Sequence, residues 1–150
     1  MGRPKAKALR RSLAIDEKAL GTAHPSLCPT LTNLAGIMAQ RGELDPALSL
    51  VERARSLAER THGPVHPDVG QILSILTQIQ VAQALPQALI TAKQAVAILE
   101  QCLGTDHPIT EGARRAALVV AAAGVDLSAL SHNRAAARRA HRRHRSPTTR

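Results

Sequence analysis

The amino-acid sequence predicts an all-α fold of stacked helical hairpins, and three observations support this prediction. Ala and Leu dominate the 150 residues, and Phe, Trp and Tyr are absent. This composition favours helices with a thin, closely packed core between them. Strands are disfavoured because they prefer aromatic and β-branched residues. A Gly-x-x-His-Pro string occurs three times, beginning at Gly21, Gly63 and Gly104, with spacings of 42 and 41 residues. A fixed period of this size is typical of a helical solenoid.

Each Gly-x-x-His-Pro string predicts the end of one helix and the start of the next. Gly can adopt the left-handed conformation that ends a helix. Pro suits the first position of the following helix, where its missing N–H costs nothing. The residue before Pro is driven out of the α region, so His24, His66 and His107 are expected to cap the helices that follow them.

Apolar stripes between the strings predict two helices per period. A helix near residues 8–20 precedes the first string and matches the second helix of a unit whose first helix is absent. The next two helices are separated by Gly42, and the second of them begins near Asp45 and Pro46. Their apolar stripes are Leu31, Leu34, Ala35 and Met38, and then Ala47, Leu50, Val51, Ala54 and Leu57.

The pattern repeats after His66, with a break near residues 84–86. The stripes there are Ile72, Leu73, Leu76 and Ile79, and then Ala88, Ala92, Ala95, Ile98 and Leu99. One residue fewer in the turn between the helices explains the shorter second spacing. Two antiparallel helices joined by a short turn form the helical-hairpin unit of a solenoid.

These elements divide the chain into an extension, an array and a tail. We assign residues 1–7 to a basic N-terminal extension and residues 8–131 to a helical repeat array. The units lie near residues 8–23, 24–65, 66–106 and 107–131, which makes a half-repeat, two clear repeats and a degenerate third. In the third, Arg114 occupies the position of Leu31 and Leu73, although residues 113–123 remain helical by composition. Residues 132–150 form an Arg-rich C-terminal tail.

Residues 8–108 resemble the tetratricopeptide repeats of about 42 residues that are found in kinesin light chains and in many bacterial regulatory proteins. The family pattern is matched by Leu13-Ala14-Ile15, Glu17, Leu20-Gly21, His24-Pro25, Leu31, Asn33-Leu34-Ala35, Gly42 and Ala47. The second unit retains Leu73, Leu76, Ala88, Ala95, Glu100, Leu103-Gly104 and His107-Pro108. The sequence departs from the family where a tyrosine late in the first helix is replaced by Met38 and Gln80, and where Asn33 corresponds to Ile75.

The resemblance implies a non-catalytic interaction module or scaffold whose first helices line a concave groove for a partner protein or peptide. Carried over onto this sequence, the groove-facing residues are Thr32, Asn33, Gly36, Gln40, Ser74, Gln78 and Arg115. They include no Lys-Asn-Arg clamp of the kind that binds a terminal carboxylate.

Catalytic, cofactor and metal sites are not expected. There is no phosphate-binding Gly-rich loop and no nucleophile motif. The three helix-start histidines are too far apart along the array to share one ion. His62 and His66 have ligand-like spacing, but Gly63 and Pro64 should break the helix that would align them. Two widely separated cysteines and the lack of a secretory signal or a membrane-spanning run suggest the cytoplasm.

The positive charge is concentrated at the C-terminus. Of the net charge of +9, residues 132–150 contribute seven Arg and no acidic residue. The tail residues Arg134, Arg138, Arg139, Arg142, Arg143 and Arg145 could bind nucleic acid non-specifically or an anionic membrane surface. The alternative is a solvated extension without a selected function.

The N-terminal end of the array is expected to be open, with Leu9, Leu13 and Leu20 exposed. This suggests a piece of a longer repeat protein, or a chain that associates with itself or with another chain through that end. A truncated remnant of a larger regulator is a further alternative.

Overall fold

The computed structural model describes residues 3–123, and within this range the fold is entirely helical, as predicted. We number the α-helices in chain order. They are α1 (Arg3–Leu20), α2 (Cys28–Gln40), α3 (Leu44–His62), α4 (Pro67–Ala82), α5 (Ala88–Leu103) and α6 (residues 108–123), and a 3-10 turn (Pro25–Leu27) precedes α2.

The helices pack as consecutive hairpins. Helix α2 packs against α3, and α4 packs against α5, while α3 contacts α4 and so joins the two hairpins. Helix α1 packs against α2, and the two first helices, α2 and α4, also touch each other. This arrangement confirms the expectation of a helical-hairpin solenoid.

The predicted apolar stripes form the core. Every residue of the α2 stripe is buried, and the same holds for the α4 stripe. In α3 and α5 the small residues Ala47, Ala54, Ala88 and Ala95 are essentially inaccessible to solvent. Helices can approach closely through such small side chains, which explains how the core is filled without aromatic residues.

The turns follow the glycines, with one exception. Gly21, Gly63 and Gly104 all have φ close to +85°, and each donates its N–H to the carbonyl four residues earlier. Gly42 has φ +77° in the turn between α2 and α3. In the equivalent turn between α4 and α5, Ala84 adopts φ +54°, a left-handed conformation that is rare for a residue with a Cβ.

The N-terminal region differs from its prediction in two respects. Helix α1 begins at Arg3, so residues 3–7, which we assigned to an extension, lie within the helix, and Ala6 is buried. The expected exposure of three leucines is wrong for Leu13, which is buried, and Leu9 is half-buried. The reason is that α2 of the same chain covers this face of α1. Leu20 is 49% exposed, as expected.

Candidate functional site

A cavity of about 580 Å³ lies where α1, α2 and α4 meet, and four of the predicted groove residues line it. These are Thr32, Asn33, Gly36 and Gln40, all on α2. Residues of α1, including Lys5 and Leu9, form one wall, and Ile75 of α4 contributes to the other. The spacing of the α2 residues puts them on one face of the helix, opposite the buried stripe.

A second cavity of about 420 Å³ adjoins the first, because Thr32 and Asn33 line both. Its opposite wall comes from the α3–α4 junction and includes His62, Asp68 and Gln71. We call the two cavities together the α2 groove. The α2 groove runs along the outward face of α2, from α1 at one end to the start of α4 at the other.

The polar groups of the α2 groove differ in their availability. The Thr32 hydroxyl donates to the Cys28 carbonyl oxygen at 2.7 Å, so it is used within the helix. Among the residues that the structure describes, the exposed amides of Asn33 and Gln40 have no hydrogen-bond partner. A carboxamide carries both donor and acceptor groups and can therefore bond to the N–H and C=O of an extended segment.

The other three predicted groove residues line neither cavity. Ser74 is half-buried, and its hydroxyl donates to the Gly70 carbonyl oxygen at 3.1 Å. Gln78 is exposed on α4. Arg115 is exposed on α6 and pairs with Glu111 at 2.6 Å. The hydrogen bond and positive charge of Arg115 lower the pKa of the Glu111 carboxyl group. The sequence pattern places these residues on first helices, but the cavities lie nearer α1.

The three helix-start histidines act as caps. The Nδ1 atom of His24 accepts from the Ser26 N–H at 3.3 Å, and Nδ1 of His66 accepts from the Asp68 N–H at 3.2 Å. His107 repeats the contact with the Ile109 N–H at 3.2 Å. Each ring thus satisfies a backbone donor that the first turn leaves unpaired, which confirms the capping expectation.

His62 and His66 are brought together, contrary to the expectation that the Gly63–Pro64 break would keep them apart. Their rings stack with centroids 4.2 Å apart and planes 16° apart. The Asp68 carboxylate lies beside both, with Oδ2 3.9 Å from His62 Nε2 and 3.5 Å from His66 Nδ1. The break reverses the chain direction within a few residues, so the end of α3 and the start of α4 become neighbours.

The two cysteines are not paired with each other, and Cys28 borders the α2 groove. Its thiol is close to the Ala54 carbonyl oxygen, at 3.5 Å. Burial raises the pKa of the Cys28 thiol, and the Asp68 carboxylate makes a further, smaller contribution in the same direction. Cys28 is therefore a protonated, weakly reactive thiol at neutral pH.

The predicted tail residues, from Arg134 to Arg145, lie outside the described residues. Within residues 3–123, no helix has the length and apolar character that a membrane crossing requires. A family model described as tetratricopeptide repeat matches residues 26–101, which is just over half of the chain.

Proposed function

The chain belongs to the tetratricopeptide repeat family, and on this premise we propose that it is a non-catalytic interaction module that binds a segment of a partner protein in the α2 groove. Repeats of this family generally mediate protein–protein interaction. The observation that carries the proposal is the row of Asn33, Gly36 and Gln40 along one cavity, with both amides unbonded.

The groove has features suited to binding the backbone of a partner segment. Gly36 has no side chain, and the nearest atom to a Cβ built there would be Ile75 Cδ1 at 4.0 Å, so a partner backbone can approach α2 at this point. Asn33 and Gln40 flank that point and offer donors and acceptors to the partner's peptide groups. Lys5 supplies the formal charge in the 580 Å³ cavity, so an acidic side chain of the partner fits at the α1 end.

The proposal is tested by capture of partners with the full chain and with matched variants. The immobilised protein is incubated with nuclease-treated extract of the source cells, and bound proteins are identified by mass spectrometry. The test variant is Asn33→Ala with Gln40→Ala. The control is Gln101→Ala, which removes an exposed amide from α5, away from the α2 groove.

Removal of two neutral hydrogen-bonding amides should cost about 0.5–1.5 kcal/mol for each bond, or about 5- to 150-fold in affinity for the pair. We expect a defined set of proteins that the wild type and Gln101→Ala retain and the double variant loses. A photo-crosslinking residue at position 40, but not at position 101, should label the same proteins. Equal recovery by the double variant, or loss of every protein after nuclease treatment, would contradict the proposal.

A further inference from the structure

The α3–α4 junction carries a cluster with defined chemistry at the edge of the α2 groove, and the proposed recognition by Asn33 and Gln40 does not involve it. We propose that His62, His66 and Asp68 bind a divalent transition-metal ion, with Zn²⁺ as the best match to the donor set. The three side chains come from the last residue of α3, the cap of α4 and the first turn of α4. One ligand atom of each lies within 4.8 Å of the other two.

The two separations from the Asp68 oxygen to the imidazole nitrogens are close to those that zinc requires. With zinc–ligand bonds of about 2.0–2.1 Å, the ligand atoms of a tetrahedral site are about 3.3 Å apart. The Asp68 Oδ2 atom is 3.5 Å from His66 Nδ1 and 3.9 Å from His62 Nε2. Side-chain rotation can shorten the distances between the ligand atoms, since His62 and Asp68 are exposed and His66 is half-buried.

The chemistry of the donor set selects the class of ion. Two imidazoles and one carboxylate suit Zn²⁺, Co²⁺, Ni²⁺ and Cu²⁺, whereas Mg²⁺ and Ca²⁺ prefer oxygen ligands alone. A three-residue set leaves a fourth position for water. The stacking also brings the two imidazole rings together at the junction, which an isolated cap does not do.

The local electrostatics accommodate a cation. His62 is the final residue of α3, where the helix carries partial negative charge, and this favours a positive ion. The start of α4 opposes it, but the Asp68 carboxylate offsets that effect directly. The ion would replace the hydrogen bond from the Asp68 N–H to His66 Nδ1, and the exposed N–H can then bond to water.

The other two helix starts supply an internal control. His24 and His107 make the same capping contact as His66. The positions equivalent to His62 are Leu20 and Leu103, and those equivalent to Asp68 are Ser26 and Ile109. Within residues 3–123, the complete set of two imidazoles and a carboxylate therefore occurs at the α3–α4 junction alone.

The test is a Zn²⁺ titration of the full-length protein, followed through the imidazole resonances by NMR and through affinity by calorimetry. Co²⁺ serves as a second probe, because its absorption bands report tetrahedral coordination. The loss variants are His62→Gln, Asp68→Asn and His66→Asn, and the last of these keeps a side chain that can cap α4. The matched control is His107→Asn, which makes the same exchange at the start of α6.

We expect the His62 and His66 resonances to shift together and to saturate at one equivalent of Zn²⁺. Each loss variant should weaken binding by about 10- to 100-fold, while His107→Asn should bind like the wild type. Circular dichroism establishes that each variant remains helical. Unchanged affinity in His62→Gln, or shifts confined to the tail residues His132, His141 and His144, would overturn the proposal.

Discussion

The close approach of α4 and α5 at Gly70 gives the most direct quantitative test of the packing. A Cβ at this position would lie 2.7 Å from Leu99 Cγ and 2.8 Å from its Cδ2, far inside the normal contact distance of about 3.5–4.0 Å. Leu99 is fully buried, so its branch point cannot swing away. Gly70→Ala should therefore force the two helices apart or push Leu99 out of its preferred rotamer.

The expected magnitude is the difference between two opposing terms. Overpacking a core by one methyl group costs about 1–3 kcal/mol. Replacement of a helical Gly by Ala gains about 1 kcal/mol of helix propensity. Gly70→Ala should thus lower the free energy of unfolding by up to about 2 kcal/mol. Gly36→Ala is the matched control, because the nearest atom to its added Cβ is 4.0 Å away, and it should raise the free energy of unfolding by about 1 kcal/mol.

Urea denaturation followed by circular dichroism measures both variants. The difference between them isolates the overpacking term, since the propensity gain is common to the two. A third variant, Gly70→Ala with Leu99→Ala, removes the clash and should show favourable coupling between the two substitutions. If Gly70→Ala is as stabilising as Gly36→Ala, the description of the α4–α5 contact is incorrect.

Three further predictions concern the turns, a cap and a thiol. Ala84→Gly should stabilise the fold by about 1 kcal/mol, because glycine adopts the left-handed conformation without strain, and Gly42→Ala should destabilise it by a similar amount. Chemical denaturation measures the free energy of unfolding of both variants. No change in either variant would contradict the turn geometry. His107→Ala should lower the free energy of unfolding by about 1 kcal/mol through loss of the helix cap. His107→Asn should lower it much less, because Asn can also cap the helix, and thermal melts measure both variants. Because the folded-state pKa of Cys28 is raised, its contribution to stability is fully present below the ordinary thiol pKa of 9.0 and is lost as the pH rises through the folded value. Alkaline unfolding of Cys28→Ser should accordingly be less pH-dependent, and alkylation of native Cys28 should be slower than that of the unfolded chain.

Much of the fold could be predicted because the repeated signals are local and agree with one another. The glycine, the histidine and the proline of each string act within one turn of chain, so their roles as stop, cap and start follow from conformational preference alone. The buried stripes follow in the same way from helical periodicity. Helical periodicity also predicted the position of the turn near Ala84, because the apolar stripe ends there. It did not predict the left-handed conformation of Ala84.

The features that sequence reasoning missed depend on contacts between elements. The burial of Leu13 depends on where α2 packs, and periodicity within α1 does not report that. The approach of His62 to His66 depends on the path of the chain through the junction. The available signal was that Gly63 and Pro64 belong to the same turn that recurs at the other two strings, and such a turn brings successive helix ends together.

The degenerate third unit shows how one contact of the array is exchanged for another. Leu31 and Leu73 are buried at their position, whereas Arg114, at the same place in α6, is half-buried and pairs with Glu100, with 2.6 Å between Nε and Oε1. Burial of a leucine contributes about 1.5–3 kcal/mol, while a partly exposed ion pair contributes about 0–1 kcal/mol. On these magnitudes, the exchange weakens the attachment of α6 to α5 at this position. We therefore expect α6 to be held less firmly at this position than α2 and α4 are at theirs.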